Sequence, residues 1–200
     1  GERELRVRRS PRFDGKAFRN PVPPAAVPAA ARRQEIRRMV AGRGLRRPAA
    51  PVPVVTPAAG DLGLRAAPDG LHVLWLGHAT SLVVIEGRRV LLDPVWSERC
   101  SPSRWLGPRR LHRMPLPLAA LPPVDAVVIS HDHYDHLDRS TIVALARDHT
   151  APFLVPLGVG AHLEHWGVPA ARIIELDLEE RAEVAGLAFT ATAARHFSGR

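Results

Sequence analysis

Long apolar runs, cysteine, lysine and tyrosine are all scarce in these 200 residues. No apolar run approaches the roughly 20 residues that a membrane-spanning helix needs, so none is expected. The arginine-rich start carries no apolar core segment, which argues against a secretory signal. Cytoplasmic, with peripheral membrane contact as an addition, is the location expected when such signals are missing. Cys100 is the one cysteine. That excludes an intrachain disulfide and makes a free structural thiol the plain reading. Lys16 is the one lysine, so the formal charge of +8 is almost entirely arginine.

The charge is unevenly placed. Residues 1–50 hold 14 Lys+Arg against 4 Asp+Glu, a balance of +10, and the remainder holds 14 against 16, a balance of −2. A nearly neutral body speaks against a broad nucleic-acid surface and for a basic arm. Residues 1–60 read as that arm. Within it, residues 1–20 are polar and punctuated by turn formers, and the spacing predicts an extended segment. Pro21–Pro28 and Arg46–Pro57 are proline-rich linkers, because proline fixes φ and lacks the donor of regular structure. Ala29–Ala41 predicts a helix ending at Gly42, with Ile36, Met39 and Val40 close to one face and Arg32, Arg33, Arg37 and Arg38 around the rest. It suits either an anionic membrane surface or a solvated edge of the domain.

The composition of a folded core begins at Leu71. Strands are expected at Leu71–Leu76, Ser81–Glu86, Arg89–Leu92, Asp125–Ser130, Phe153–Pro156 and Arg172–Leu176, with two more in 183–194. Helices are expected from Asp138 or Ser140 to Arg147 and over Gly158–Trp166. The long connection Val95–Pro117 holds Trp96, Trp105, Arg99, Arg104, Arg109, Arg110 and Arg113. These side chains suit the entrance of a site for an anionic, partly apolar substrate, and equally suit pinning the loop to the core.

The densest chemistry is His131-Asp132-His133-Tyr134-Asp135-His136, directly after the apolar, β-branched Val124–Ile129. Imidazole and carboxylate suit a borderline cation such as zinc. His131 and His133 lie two apart, so at a strand end their rings can point the same way. Asp135 and His136 follow after a turn and can reach a second ion, and two ions about 3.5–4 Å apart can hold and activate a hydroxide. Asp132 and Tyr134 are expected to alternate outward.

This cluster resembles the His-X-His-X-Asp-His pattern of the metallo-β-lactamase superfamily. Arg12-Phe13-Asp14-Gly15-Lys16 with Phe18-Arg19-Asn20-Pro21, Trp75-Leu76-Gly77-His78-Ala79-Thr80, Leu92-Asp93-Pro94, Ser101-Pro102-Ser103 with Leu106-Gly107-Pro108-Arg109-Arg110, and Val155-Pro156-Leu157-Gly158 occur in this order. Together they resemble the N-acyl-phosphatidylethanolamine-hydrolysing phospholipase D family and its bacterial relatives. The resemblance implies an α/β fold, the metallo-β-lactamase-like αββα sandwich, with residues 61–200 forming mainly its N-terminal half. It implies two zinc ions in the complete domain, the first on His131, His133 and His196 and the second on Asp135 and His136.

His78 and Asp93 are expected to brace the ligands by hydrogen bonds, and Asp138 to do the same or to cap the following helix. A bridging aspartate and a last histidine are implied too, and no residue after His196 matches them. Either the chain is a fragment of a longer one that supplies them past Arg200 or it is a truncated gene product, and the 200-residue chain is expected to bind less than two equivalents of zinc.

The resemblance implies a zinc-dependent phosphodiesterase acting on a phospholipid or similar small molecule through metal-bound hydroxide, with Asp135 orienting the nucleophile. A lactonase or an RNA phosphodiesterase of the same superfamily would use the same ligands, and a metal-binding protein without catalysis is the alternative of a different class.

Overall fold

The computed structural model describes residues 1–23, 28–42, 48–57, 70–103 and 105–198, with the side chain of Val40 also left aside. Parts of both expected linkers, the boundary at residues 60 and 61, and Arg104 lie outside the described residues.

Eight strands and four α-helices are found among the described residues. They are α1 (Glu2–Arg9), α2 (Ala29–Ala41), β1 (Leu71–Trp75), β2 (Ser81–Ile85), β3 (Arg88–Leu92), β4 (Ala126–Val128), α3 (Arg139–Asp148), β5 (Phe153–Pro156), α4 (Gly160–His165), β6 (Ile173–Leu176), β7 (Arg181–Val184) and β8 (Leu187–Thr190). Strands β1 to β6 form one sheet in sequential order, and β7–β8 a second. β1–β2–β3 is an antiparallel meander, whereas β3, β4, β5 and β6 run parallel. Glu86 and Gly87, both at positive φ (50° and 72°), make the two-residue turn of β2–β3, where left-handed backbone matches the strand twist.

The crossovers through α3 and α4 lay both helices on one face. There Ile142, Leu145 and Leu163 pack on Leu82, Leu91, Val127, Phe153 and Val155. The alternate residues Val90, Ala126 and Leu154 point to the other face, where Val184, Leu187 and Phe189 of the β7–β8 hairpin cover them. A helix layer, a six-stranded sheet and a smaller second sheet therefore stack in that order. At the β1 end the second face is open: Leu71, Val73 and Trp75 are 65%, 61% and 64% exposed.

Strand direction decides where the site can be. β1 and β3 are both antiparallel to β2, and β3 is parallel to β4, so β1, β3 and β4 all end at the same edge. The segments that leave this edge carry His78, Asp93 and His131–His136 respectively.

The expectation of an extended segment over residues 1–20 is corrected, because Glu2–Arg9 is helical. Glu2 and Glu4 occupy its first turn and Arg6, Arg8 and Arg9 its last, complementing the helix dipole, and Arg8 pairs with Glu4 one turn back at 2.7 Å. An isolated eight-residue helix is marginal in water, and this one is fastened to the body. Arg3 donates through Nε to Glu175 at 2.7 Å and through Nη1 and Nη2 to Glu164 at 2.8 and 2.7 Å, and Arg6 donates to Glu180 at 2.6 Å. Glu175 is itself a buried carboxylate that accepts from the N–H groups of Gly158 and Gly160, both at 2.9 Å.

Candidate metal centre

Two groups of three donors lie at the shared strand edge. His131, His133 and His196 form one, and His78, Asp135 and His136 the other, with the donor atoms in each group within 4.8 Å of one another. The groups adjoin, since the rings of His131 and His136 are 4.0 Å apart between centroids.

The backbone explains the first half of this convergence. Ile129 and Leu137, 2% and 0% exposed, anchor the two ends of the loop in the core. Between them the amides of His136 and Leu137 both donate to the carbonyl of His133, at 3.0 and 2.8 Å, turning the chain so that Asp135 and His136 return beside His131. His196 arrives from the tail after β8, and its Nε2 lies 3.1 Å from Nδ1 of His133.

Hydrogen bonds fix which nitrogens face the cluster. Asp93 accepts from the Ser130 amide, the Ser130 hydroxyl and His136 Nδ1, at 2.7, 2.7 and 2.8 Å. Because the Ser130 hydroxyl donates its proton to Asp93, it accepts from His131 Nδ1 at 2.9 Å. His131 is thereby held in the tautomer whose Nε2 carries a lone pair. That Nε2 and the Nε2 of His133 are buried and have no hydrogen-bond partner. Orphaned buried imidazole nitrogens are costly unless something accepts their lone pairs, and a divalent cation is the natural acceptor. The donor set fits a metal.

The electrostatics agree. Burial, reinforced by the neighbouring imidazoles, pushes the His131 pKa down to about 4, so its ring is neutral and available at neutral pH. The bond to Asp93 pushes His136 the other way, above the ordinary imidazole range. Burial opposes ionisation of Asp135, yet the hydrogen bond from His78 and the charge of the adjoining imidazoles hold its carboxyl below the usual carboxylate range. His78 Nε2 lies 2.8 Å from Asp135 Oδ2.

Asp93 holds His136 through Nδ1 at 2.8 Å. It sits at φ +42°, a left-handed conformation that aspartate tolerates better than most residues. His78 bonds to Asp135 and also stands in the second donor group. The carboxylate of Asp138 caps α3: it accepts from the Ser140 amide at 3.2 Å and from Thr141 Oγ1 at 2.6 Å, and it holds the amide and hydroxyl of Ser97 at 3.0 Å each. Asp132 does not point outward. It is 9% exposed and accepts from the Ser198 hydroxyl at 2.5 Å, because the tail folds back over the loop.

Sequence reasoning missed Ser130, Ser198 and Asn20 as parts of this arrangement. Ser130 adjoins the cluster and was legible by position alone; the other two reach it only through the tertiary fold.

The long connection is tied at its start to α3, where the Trp96 amide donates to Thr141 Oγ1 at 2.9 Å, and is cross-braced within itself, while Leu106 and Leu111 are exposed. Trp96 Nε1 donates to the Leu116 carbonyl at 2.8 Å, Arg110 to the Val95 carbonyl at 2.7 Å and Arg99 to the Gly107 carbonyl at 2.7 Å. Trp105 is exposed.

Fold and site together define an α/β protein with paired histidine and carboxylate donor groups at the carboxyl edge of its sheet. Residues 88–200 match the family described as the beta-lactamase superfamily domain, and the chain belongs to that family. An uncharacterized protein of Mycobacterium tuberculosis is 53% identical over 96% of this chain and 51% of its own length. The N-acyl-phosphatidylethanolamine-hydrolyzing phospholipase D 1 of Caenorhabditis elegans is 39% identical over 58% of this chain and 33% of its own. A metal-dependent hydrolase of Herpetosiphon aurantiacus is 33% identical over 63% and 47%. The chain thus spans about half the length of the curated relatives it matches first. Among solved structures, Igni18, a metallo hydrolase from Ignicoccus hospitalis, superposes with a TM-score of 0.46 at 22% identity, covering 64% of this chain and 50% of that one.

Proposed function

We propose that this chain carries the metal-binding part of a hydrolase acting on phosphodiesters, with zinc as the metal and an N-acyl-phosphatidylethanolamine-like lipid as the substrate class. The observation that carries the reading is the pair of adjoining donor groups with the unpartnered Nε2 atoms of His131 and His133. His131, His133 and His196 would hold one ion, and Asp135 and His136, with His78 beside them, the other. Two such ions would supply an activated water and neutralise the charge that develops on a phosphoryl group.

The chain's own residues do the rest. Asp93 and Ser130 fix the rings of His136 and His131, so their second nitrogens face the cluster before any ligand arrives. Asp135, ionised at neutral pH, can accept a proton from an attacking water and orient it, while His78 steadies one of its oxygens. The match to the nematode phospholipase D supports the lipid diester, and the matches to metal-dependent hydrolases support hydrolysis more broadly. Helix α2, whose described side chains are exposed, would offer its arginines to anionic headgroups at a membrane surface.

The test is metal content and turnover together. Zinc-replete protein should release phosphatidic acid from N-acyl-phosphatidylethanolamine, and a His131→Ala/His133→Ala variant should lose both zinc and turnover. Zinc content unchanged in that variant would refute the metal assignment. Hydrolysis of a lactone but not of the lipid would refute the substrate class.

A further inference from the structure

The peptide of the third histidine is held from 176 residues away, by a segment that charge alone would class as part of the arm. The Asn20 side chain donates through Nδ2 to the carbonyl of His196 at 2.7 Å and accepts through Oδ1 from its amide at 3.2 Å. One carboxamide thus meets both backbone groups of one residue, as a neighbouring strand would. The orientation of the amide is unambiguous, because a peptide N–H can only donate and a carbonyl can only accept.

Asn20 is itself firmly presented. The carbonyl of Arg12 accepts from the Arg19 amide at 2.7 Å, and Asp14 Oδ1 accepts from the amides of Lys16 and Ala17 at 2.9 and 2.8 Å. The rings of Phe13 and Phe18 pack at 5.5 Å across the same small hairpin. His196, by contrast, lies in a tail with no regular structure, and past Ala191 no backbone-to-backbone hydrogen bond holds that tail among the described residues. After His196, Phe197 lays its ring 4.7 Å from that of His133, and the Ser198 hydroxyl donates to Asp132.

We propose that Asn20 is the positioning residue for His196: it clamps the peptide of the third donor so that its imidazole is delivered to His131 and His133. This rests on reading that group as a metal site. The sequence feature Phe18-Arg19-Asn20-Pro21 thereby acquires a role in the centre. A proline after Asn20 disfavours helix at that asparagine and keeps it extended, which suits a side chain that must span a peptide.

Two measurements test this on the 200-residue chain. In metal-free protein, hydrogen exchange should show the His196 amide protected, and protection should vanish in Asn20→Ala; an amide that exchanges freely in the wild type overturns the clamp without reference to any metal. In cobalt titrations followed by ligand-field absorption, Asn20→Ala should weaken the binding that His196→Ala also weakens, by about 10- to 100-fold. Asn20→Asp, which keeps the acceptor for the His196 amide and loses the donor, should fall between Asn20→Ala and wild type.

Wild-type affinity in a folded Asn20→Ala, alongside weakened binding in His196→Ala, overturns the proposal. Should Asn20→Ala not fold, wild-type affinity in Asn20→Asp overturns it instead. No cobalt binding by the wild type, or binding unaltered in His131→Ala/His133→Ala, refutes the metal reading rather than the clamp.

Discussion

At Ser130 a single hydroxyl decides which nitrogen of His131 faces the donor group, since its own O–H donates a hydrogen bond to Asp93. Ser130→Ala should therefore lower metal affinity by about tenfold or more while leaving the six candidate ligands in place, as measured by zinc competition against a chromophoric chelator. The two perturbed imidazoles predict opposite pH effects in the metal-free chain. His131 resists protonation when folded, so the unfolded chain binds the extra proton between about pH 4 and 6.5, and stability from this group is lost as pH falls through that window. His136 is raised, so the stability of its pair with Asp93 is present below pH 6.5 and is lost as pH climbs through its higher folded value. A metal must displace that proton. Cobalt binding by the His78, Asp135 and His136 group should strengthen as pH rises above 6.5, and Asp93→Asn should move this dependence to lower pH. The six-residue cluster was legible because its donors are consecutive. Asn20 was not, since no local pattern reveals a partner 176 residues away.

Helix α1 shows why an element can escape a reading by composition. Ser10-Pro11 and Asp14-Gly15 mark turns, but they follow Arg9, and Glu2–Arg9 contains neither proline nor glycine. Its stability comes from Glu164, Glu175 and Glu180, which sequence order places far away. The strands were easier, because alternation of apolar residues fixes both their positions and the faces they bury. Arg3→Ala should cost about 1–2 kcal/mol, read from the urea midpoint. That is the lower part of the range for unpairing a buried carboxylate, because Arg3 is partly exposed and two glycine amides still bind Glu175. Gly160→Ala should cost about 1–3 kcal/mol by the same measurement. A Cβ there would stand 2.7 Å from Glu175 Oε1 and 2.9 Å from Ile173 Cγ2.

Across the whole molecule, the basic first quarter divides by role. The hairpin around Asp14 and the helix α1 touch the body, whereas Ile36 and Met39 of α2 are 55% and 50% exposed. Replacing Arg32, Arg33, Arg37 and Arg38 by alanine should weaken binding to anionic liposomes in sedimentation assays and leave zinc content unchanged; deleting residues 1–50 should reduce both, because it also removes Asn20. Among the described residues no helix is long and apolar enough to cross a membrane. The β1 edge presents Leu71, Val73 and Trp75 to solvent, so Val73→Lys should leave stability, read from the urea midpoint, within about 0.5 kcal/mol of wild type.

The bond between Asn20 and His196 also sets an order of events in time. A ribosome adding about 5–20 residues per second needs roughly 9–35 s to travel from one to the other. For about the last 3–13 s of that interval His131 and His133 are already made while the third histidine is still to come. A metal captured before His196 is made would be held by fewer ligands of the first donor group and exchanged more readily than one bound after it joins.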